Sequence, residues 1–208
     1  MAEQMKNQGI IVAMTGASGA AYGLRLMQRL SSRNAFLHVL LSDAARVVLQ
    51  QEADVCLPES AEDCTGMLCE HLGIPDNNLR CYGLKDWFSP TASGSAGIRQ
   101  MVIIPCSMGS LARIAMGASD NLIERAADVI LKERRQLILV PRETPLSSIH
   151  LENMLKLSRA GGHIIPAMPG FYHRPETVED IVDFVVDRVI DQLDYQNTEA
   201  ERWGGQLV

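Results

Sequence analysis

The chain has 208 residues, a net charge of −6, 47% hydrophobic and 21% charged residues, and 5% aromatics. That is length enough for one domain with a full core and room for roughly five to seven strands, with no second domain required. A basic nucleic-acid face, binding built on aromatic stacking and a membrane span are all excluded, so an anionic ligand here is a small molecule gripped by a few local cations. Five cysteines (56, 64, 69, 81 and 106) form no C-x-x-C pair, and no charged-then-apolar leader opens the chain. A reducing, cytoplasmic setting is the expectation.

Residues 1–8 are polar and read as a loose tail. Gly9 to Met14 is the first predicted strand, followed by the small turn Thr15-Gly-Ala-Ser-Gly19 and a helix from Ala20 to about Leu30. Strand, small-residue turn, helix is an arrangement that aims backbone N–H groups at an anion, and Ser18 adds a hydroxyl; the same turn also serves close helix–strand packing. It is neither a P-loop, since no G-K-[ST] follows, nor the dinucleotide glycine fingerprint, and no Y-x-x-x-K pair accompanies it. Phe36 to Leu41 is a second strand, and Ser42 caps a helix through Gln51. Glu52 follows at that helix's C-terminus, where the macrodipole disfavours a carboxylate.

Ser60 to Leu72 reads as a helix, Leu79 to Tyr82 as a short strand, and residues 89–97 (SPTASGSAG) as a turn-rich loop preceded by Trp87 and Phe88. Met101 to Pro105 is a buried strand ending in Cys106-Ser-Met-Gly-Ser110, the same strand-then-hydroxyl-and-glycine design as the first turn. Cys106 lacks a paired histidine base and reads as a buried strand-end thiol rather than a nucleophile.

From Asp120 to Lys132 the apolar residues Leu122, Ala126, Val129 and Ile130 recur at helical spacing, with Asp120 and Asn121 as N-cap oxygens and Glu124 in the capping-box position. Arg125 and Lys132 share a face of this helix, either as a phosphate grip or as a solvated charged stripe. Gln136 to Val140 is an apolar inner strand, and Arg142 and Glu143 sit just past its C-terminal end, where open α/β sheets bind ligands. Ile149 to Ala160 is a helix and His163 to Pro166 a strand, followed by a Pro- and Gly-rich loop carrying Tyr172. The last helix, from about Glu176 to Leu193, has an apolar stripe through Ile181, Val182, Val185 and Val189 and one cation, Arg188, among acidic residues. Trp203 sits in the polar tail 194–208. The five histidines show no metal-ligand spacing, so no metal site is expected. Alternating helices and apolar strands predict an α/β fold with a mostly parallel central sheet flanked by helices.

The segments MTGASGA (14–20), LSDAARVVL (41–49), PCSMGSLARIAMGASDNLIERAADVILKERR (105–135), LVPRETPLSSIHLENM (139–154) and PGFYHRP (169–175) resemble the UbiX-type flavin prenyltransferases, within the homo-oligomeric flavin-containing Cys decarboxylase-like proteins. The resemblance implies a three-layer, flavodoxin/Rossmann-like flavoprotein domain over residues 1–208 that binds FMN, assembles as a dodecamer with active sites between subunits, and transfers a dimethylallyl group from dimethylallyl monophosphate to reduced FMN, first at N5 and then at C6. The prenylated FMN would serve a UbiD-type decarboxylase; older descriptions give such proteins the decarboxylation itself. Carried over by position, Gly16, Ala17, Ser18, Ser42, Ser107, Met108, Gly109, Ser110 and Arg142 would contact FMN. Tyr172 and Arg188 would contact the prenyl phosphate with Lys132, Glu143 and, from another subunit, Arg125. Ser18 and Glu52 match positions at the flavin's reacting edge, and Trp203 a tail residue that closes the site.

Two other readings compete. The segment beginning PCSMGS also resembles the flavin-dependent cysteine decarboxylases, although VPRETPLSS stands where those carry a Met- and Asn-rich substrate loop. A non-catalytic flavin carrier or sensor would tolerate loss of Glu143 and Lys132, whereas a transferase would not.

Overall fold

The computed structural model describes residues 9–193 and residue 195. Six strands form one sheet: β1 (Ile10–Met14), β2 (Leu37–Leu41), β3 (Leu79–Tyr82), β4 (Gln100–Cys106), β5 (Gln136–Pro141) and β6 (His163–Ile164), in the order β3-β2-β1-β4-β5-β6. All five pairings are parallel. Every residue of β1, β2 and β4 is buried, the pattern expected of strands covered on both faces.

Seven α-helices cover the sheet: α1 (Ala20–Ser31), α2 (Asp43–Ala53), α3 (Ala61–Leu72), α4 (Met108–Ala115), α5 (Leu122–Lys132), α6 (Ser148–Arg159) and α7 (Val178–Ile190). Side chains of β1 alternate between two cores. Ile10, Val12 and Met14 pack with α1, α2, α3 and α7, while Ile11 and Ala13 pack with α4, α5 and α6. The predicted three-layer α/β fold is the observed one.

Element ends follow local chemistry. Asn121, rather than Asp120, caps α5, its side chain accepting from the Ile123 and Glu124 amides at 3.1 Å each. Glu124 reaches back to the Asp120 amide and to the Asn121 side chain, and is also held by Arg113. The last helix is shorter than its apolar stripe suggested, because Thr177 and Asp180 form a capping box that starts it at Val178. The final strand is only two residues long, although the Ile165 and Ala167 amides still donate to the Leu139 and Pro141 carbonyls of β5; Pro166 between them has no N–H to present to the open edge. The loop 89–97 holds two short 3₁₀ turns, Pro90–Ala92 and Gly94–Ala96.

The α1–α7 seam carries a network of paired charges. Arg29, 7% exposed at its side chain, pairs with Asp187 at 2.7 Å and Asp183 at 3.4 Å, and Arg25 meets Asp183 at 2.5 Å. Replacing Arg29 by Met leaves the carboxylates of a largely buried cluster under-compensated. The expected cost is about 3 kcal/mol, read as a fall in the urea midpoint without a change in slope.

Candidate functional site at the β1/β4 switch point

From β1 the chain moves to β2 and β3 on one side, then returns to place β4 against the other side of β1. The strand order therefore reverses between β1 and β4. The crevice at their C-terminal ends is where such sheets bind ligands. Both turns noted in the sequence open there: residues 15–19 after β1 and residues 107–110 after β4.

Thr15 joins them. Its hydroxyl donates to the Pro105 carbonyl at 3.1 Å and accepts from the Ser107 amide at 2.7 Å, and its own amide donates to the Pro105 carbonyl. Thr15 is 1% exposed, so Thr15→Val would leave the Ser107 N–H without that acceptor in a tight space. A loss of about 1–3 kcal/mol is expected, measured as a drop in chemical stability. Sequence reasoning passed over this residue, because its role depends on which strand lies beside β1. Gly16 beside it serves packing: a Cβ there would lie 2.4 Å from the Ala44 Cβ at the start of α2.

Glu52 is explained by the same corner. Although it sits in the last turn of its own α2, its carboxylate accepts from the Gly19 and Ala20 amides, both at 2.8 Å, and so caps α1 from outside. Desolvation opposes its charge, but hydrogen bonds from the Ser18 side chain and the two amides, with the Arg142 charge nearby, outweigh it and hold the carboxyl below its ordinary value of 4.5. Arg142 completes the link by donating from Nε to the Ser18 carbonyl at 3.0 Å. Tyr22, one turn into α1, also faces this group. Burial pushes its phenol up, with Arg142 acting in the opposite direction. Its position on a helix gave no sequence signal.

A depressed carboxyl makes a signed prediction. The contribution of Glu52 to stability is fully present above about 4.5, the unfolded value, and is lost as pH falls through the lower folded value. The stability difference between wild type and Glu52→Gln should therefore shrink on acidification through that window, as followed by denaturant titration at several pH values.

Around the crevice, Ser42 caps α2 by accepting from the Ala45 amide at 3.0 Å. Ser107 caps α4 and donates to the Ser110 hydroxyl at 3.1 Å. The Met108 and Gly109 amides are the first two of that helix and have no acceptor within it. A Cβ on Gly109 would meet no atom within 4 Å, so the backbone there lies open. Glu143 is exposed next to Arg142 and accepts from the Thr144 amide. Cys106 is fully buried and burial pushes its thiol up to about 12, which leaves it protonated and supports the structural reading. All five cysteines are free.

Thus Gly16, Ala17, Ser18, Ser42, Glu52, Ser107, Met108, Gly109, Ser110, Arg142 and Glu143 sit at the C-terminal edge of the sheet around one reversal point. Lys132 and Arg125 lie elsewhere on the same chain. Lys132 ends α5 and precedes β5, whereas Arg142 follows β5, so a strand of six residues, roughly 20 Å, lies between their ends of the sheet. Lys132 pairs with Glu133 at 2.7 Å, and Arg125 donates to the Ala92 carbonyl at 3.1 Å beside the 89–97 loop. Arg188 lies one turn beyond Phe184 on α7, and the Tyr172 ring packs edge-on to Phe184. Arg188 also lines an open groove of about 810 Å³ along β6, with His163, Ile165, Pro166 and Gln192. Trp203 lies outside the described residues.

The family model described as "Flavoprotein" matches residues 1–190. The flavin prenyltransferase UbiX of Pseudomonas aeruginosa is 54% identical over 197 residues, covering 95% of this chain and 94% of that protein. This chain belongs to the UbiX flavin prenyltransferase family. Two solved structures carry the likeness into three dimensions. A dodecameric FMN-dependent UbiX-like decarboxylase from Escherichia coli O157:H7 is 44% identical with a TM-score of 0.81, over 95% of this chain and 100% of that one. AnUbiX (PadA1), in complex with FMN and dimethylallyl pyrophosphate, is 39% identical with a TM-score of 0.82, over 94% and 97%. The crevice of this UbiX-family chain fits FMN in its chemistry: free helix-start amides, hydroxyls at positions 42, 107 and 110, one guanidinium, and open space above Gly109.

Proposed function

We propose that this protein is a flavin prenyltransferase that moves a dimethylallyl group from dimethylallyl monophosphate to reduced FMN, at N5 and then C6, releasing phosphate and yielding prenylated FMN. The observation that carries the reading is the gathering of the 16–18 turn, Ser42, Glu52, residues 107–110 and Arg142 at one strand-end crevice in a chain of this family. Gly16, Ala17, Ser18, Ser42, residues 107–110 and Arg142 would hold FMN, which supplies the nucleophilic ring atoms and a π surface.

The chain's own residues supply the rest. Breaking the allylic C–O bond puts negative charge on the leaving phosphate, which Lys132, Arg125 and Arg188 would stabilise as fixed donors, while the Tyr172 phenol would hold the phosphate equally before and during transfer. Glu143 would deliver a proton to that phosphate. Ser18 and Glu52, locked together across the α1 start, would fix the reacting edge and exchange a proton there. Lys132 lies at the far end of β5 from Arg142 and Arg125 turns to the 89–97 loop, so a complete site needs a second copy that brings them to the crevice. A homo-oligomer, dodecameric like the Escherichia coli structure, satisfies this requirement. The product would serve a UbiD-type decarboxylase in the cytoplasm; no helix of the described residues is long and apolar enough to cross a membrane.

The described residues contain no group of three or more His, Cys, Asp or Glu side chains able to hold a metal ion. Transfer from the monophosphate is therefore expected to continue unchanged in EDTA. The anaerobic flavin spectrum after mixing with dimethylallyl monophosphate tests both points: a spectral change in EDTA supports the reading, and a requirement for added magnesium contradicts it.

A further inference from the structure

His173 lies in the loop between β6 and α7, next to Tyr172, and both of its ring nitrogens are buried with no hydrogen-bond partner among the described residues. Buried polar atoms are normally paired, so the ring's place must be set by something other than hydrogen bonds. It is set by stacking. The imidazole lies 5.3 Å from the Phe184 ring, centroid to centroid, at 8°, while Tyr172 packs edge-on to both, 5.7 Å from each. The loop is shaped to allow this: a Cβ on Gly170 would come 2.8 Å from Phe184 and 3.2 Å from Tyr172.

We infer that His173 is a positioning residue whose ring, stacked on Phe184, holds the Tyr172 phenol at the prenyl-phosphate subsite; this rests on the transferase reading above. The platform belongs to α7, and Phe184 stands four residues before Arg188, so one helix face sets both Tyr172 and Arg188. Two χ angles fix a tyrosine once its ring is wedged, and without the wedge the phenol must be ordered each time the donor binds. Neither nitrogen of His173 makes a hydrogen bond among the described residues, so a ring of another kind should serve.

The test compares His173→Ala, His173→Phe and His173→Gln in the full-length oligomer, with Tyr172→Phe as a reference. His173→Ala is expected to raise KM for dimethylallyl monophosphate about tenfold, near the effect of Tyr172→Phe, with kcat and FMN affinity within about twofold of wild type. His173→Phe should restore KM, and His173→Gln should not. The thermal shift that the monophosphate alone induces in FMN-free protein should follow the same order. Should His173→Ala not fold, shown by lost FMN binding, the Phe and Gln variants decide on their own. Wild-type KM in His173→Gln, or a KM in His173→Phe as high as in His173→Gln, overturns the inference. Wild type that prenylates no flavin overturns the function instead, and is seen before any variant is compared.

Discussion

Lys132→Met is expected to slow prenyl transfer by about 10²–10³ while leaving the fold and most of the FMN affinity intact. The Lys132 side chain is half exposed and, among the described residues, makes one ion pair, with Glu133, so the fold loses little, about 0.5 kcal/mol or less. Its value lies in the charge it offers to a leaving phosphate, and that charge grows only as the C–O bond breaks. The loss should thus appear in kcat. A single-turnover rate within threefold or so of wild type would remove Lys132 from the mechanism. Because Lys132 and Arg142 flank opposite ends of β5, the same variant also probes the shared site. Co-assembly of Lys132→Met chains with Arg142→Ala chains should recover part of the activity that neither has alone, since some sites then draw both intact residues from different copies. No recovery in verified mixed oligomers would place both residues' effects within one chain.

Glu52→Gln is expected to cost a similar 10²–10³ in rate, for a different reason. The amide oxygen can still accept from Gly19 and Ala20, so the α1 start and the flavin cradle should persist. What disappears is the negative charge next to Ser18 and Arg142, and with it the ability to take up a proton at the reacting edge. FMN binding near wild type with a crippled transfer step is the expected pattern. Equal loss of FMN affinity and rate would reassign Glu52 to a purely architectural role.

How much of this was legible in the sequence depended on the distance over which each feature acts. The helices and inner strands showed through periodicity and apolar runs, and the caps at Ser42 and Asn121 are local exchanges within three residues. The resemblance of segments 14–20, 41–49, 105–135, 139–154 and 169–175 to the UbiX-type family implies the flavin independently of any contact. Glu52 looked misplaced because its partner amides lie 32 and 33 residues earlier, and only the packing of α2 beside α1 supplies them. Thr15 was overlooked because its partners on residues 105 and 107 lie beyond three intervening helices and two strands. Arg125 and Lys132 were read correctly as sharing a helix face. That face, however, looks toward the 89–97 loop of the same chain, away from Arg142.

The mass of the flavin tests the prenyl transfer most directly. Protein incubated anaerobically with reduced FMN and dimethylallyl monophosphate, then denatured to release its flavin, should yield FMN heavier by one prenyl unit. The gain should be absent when either the protein or the monophosphate is omitted. Recovery of FMN of unchanged mass from protein shown to be folded, oligomeric and flavin-bound would contradict the assignment.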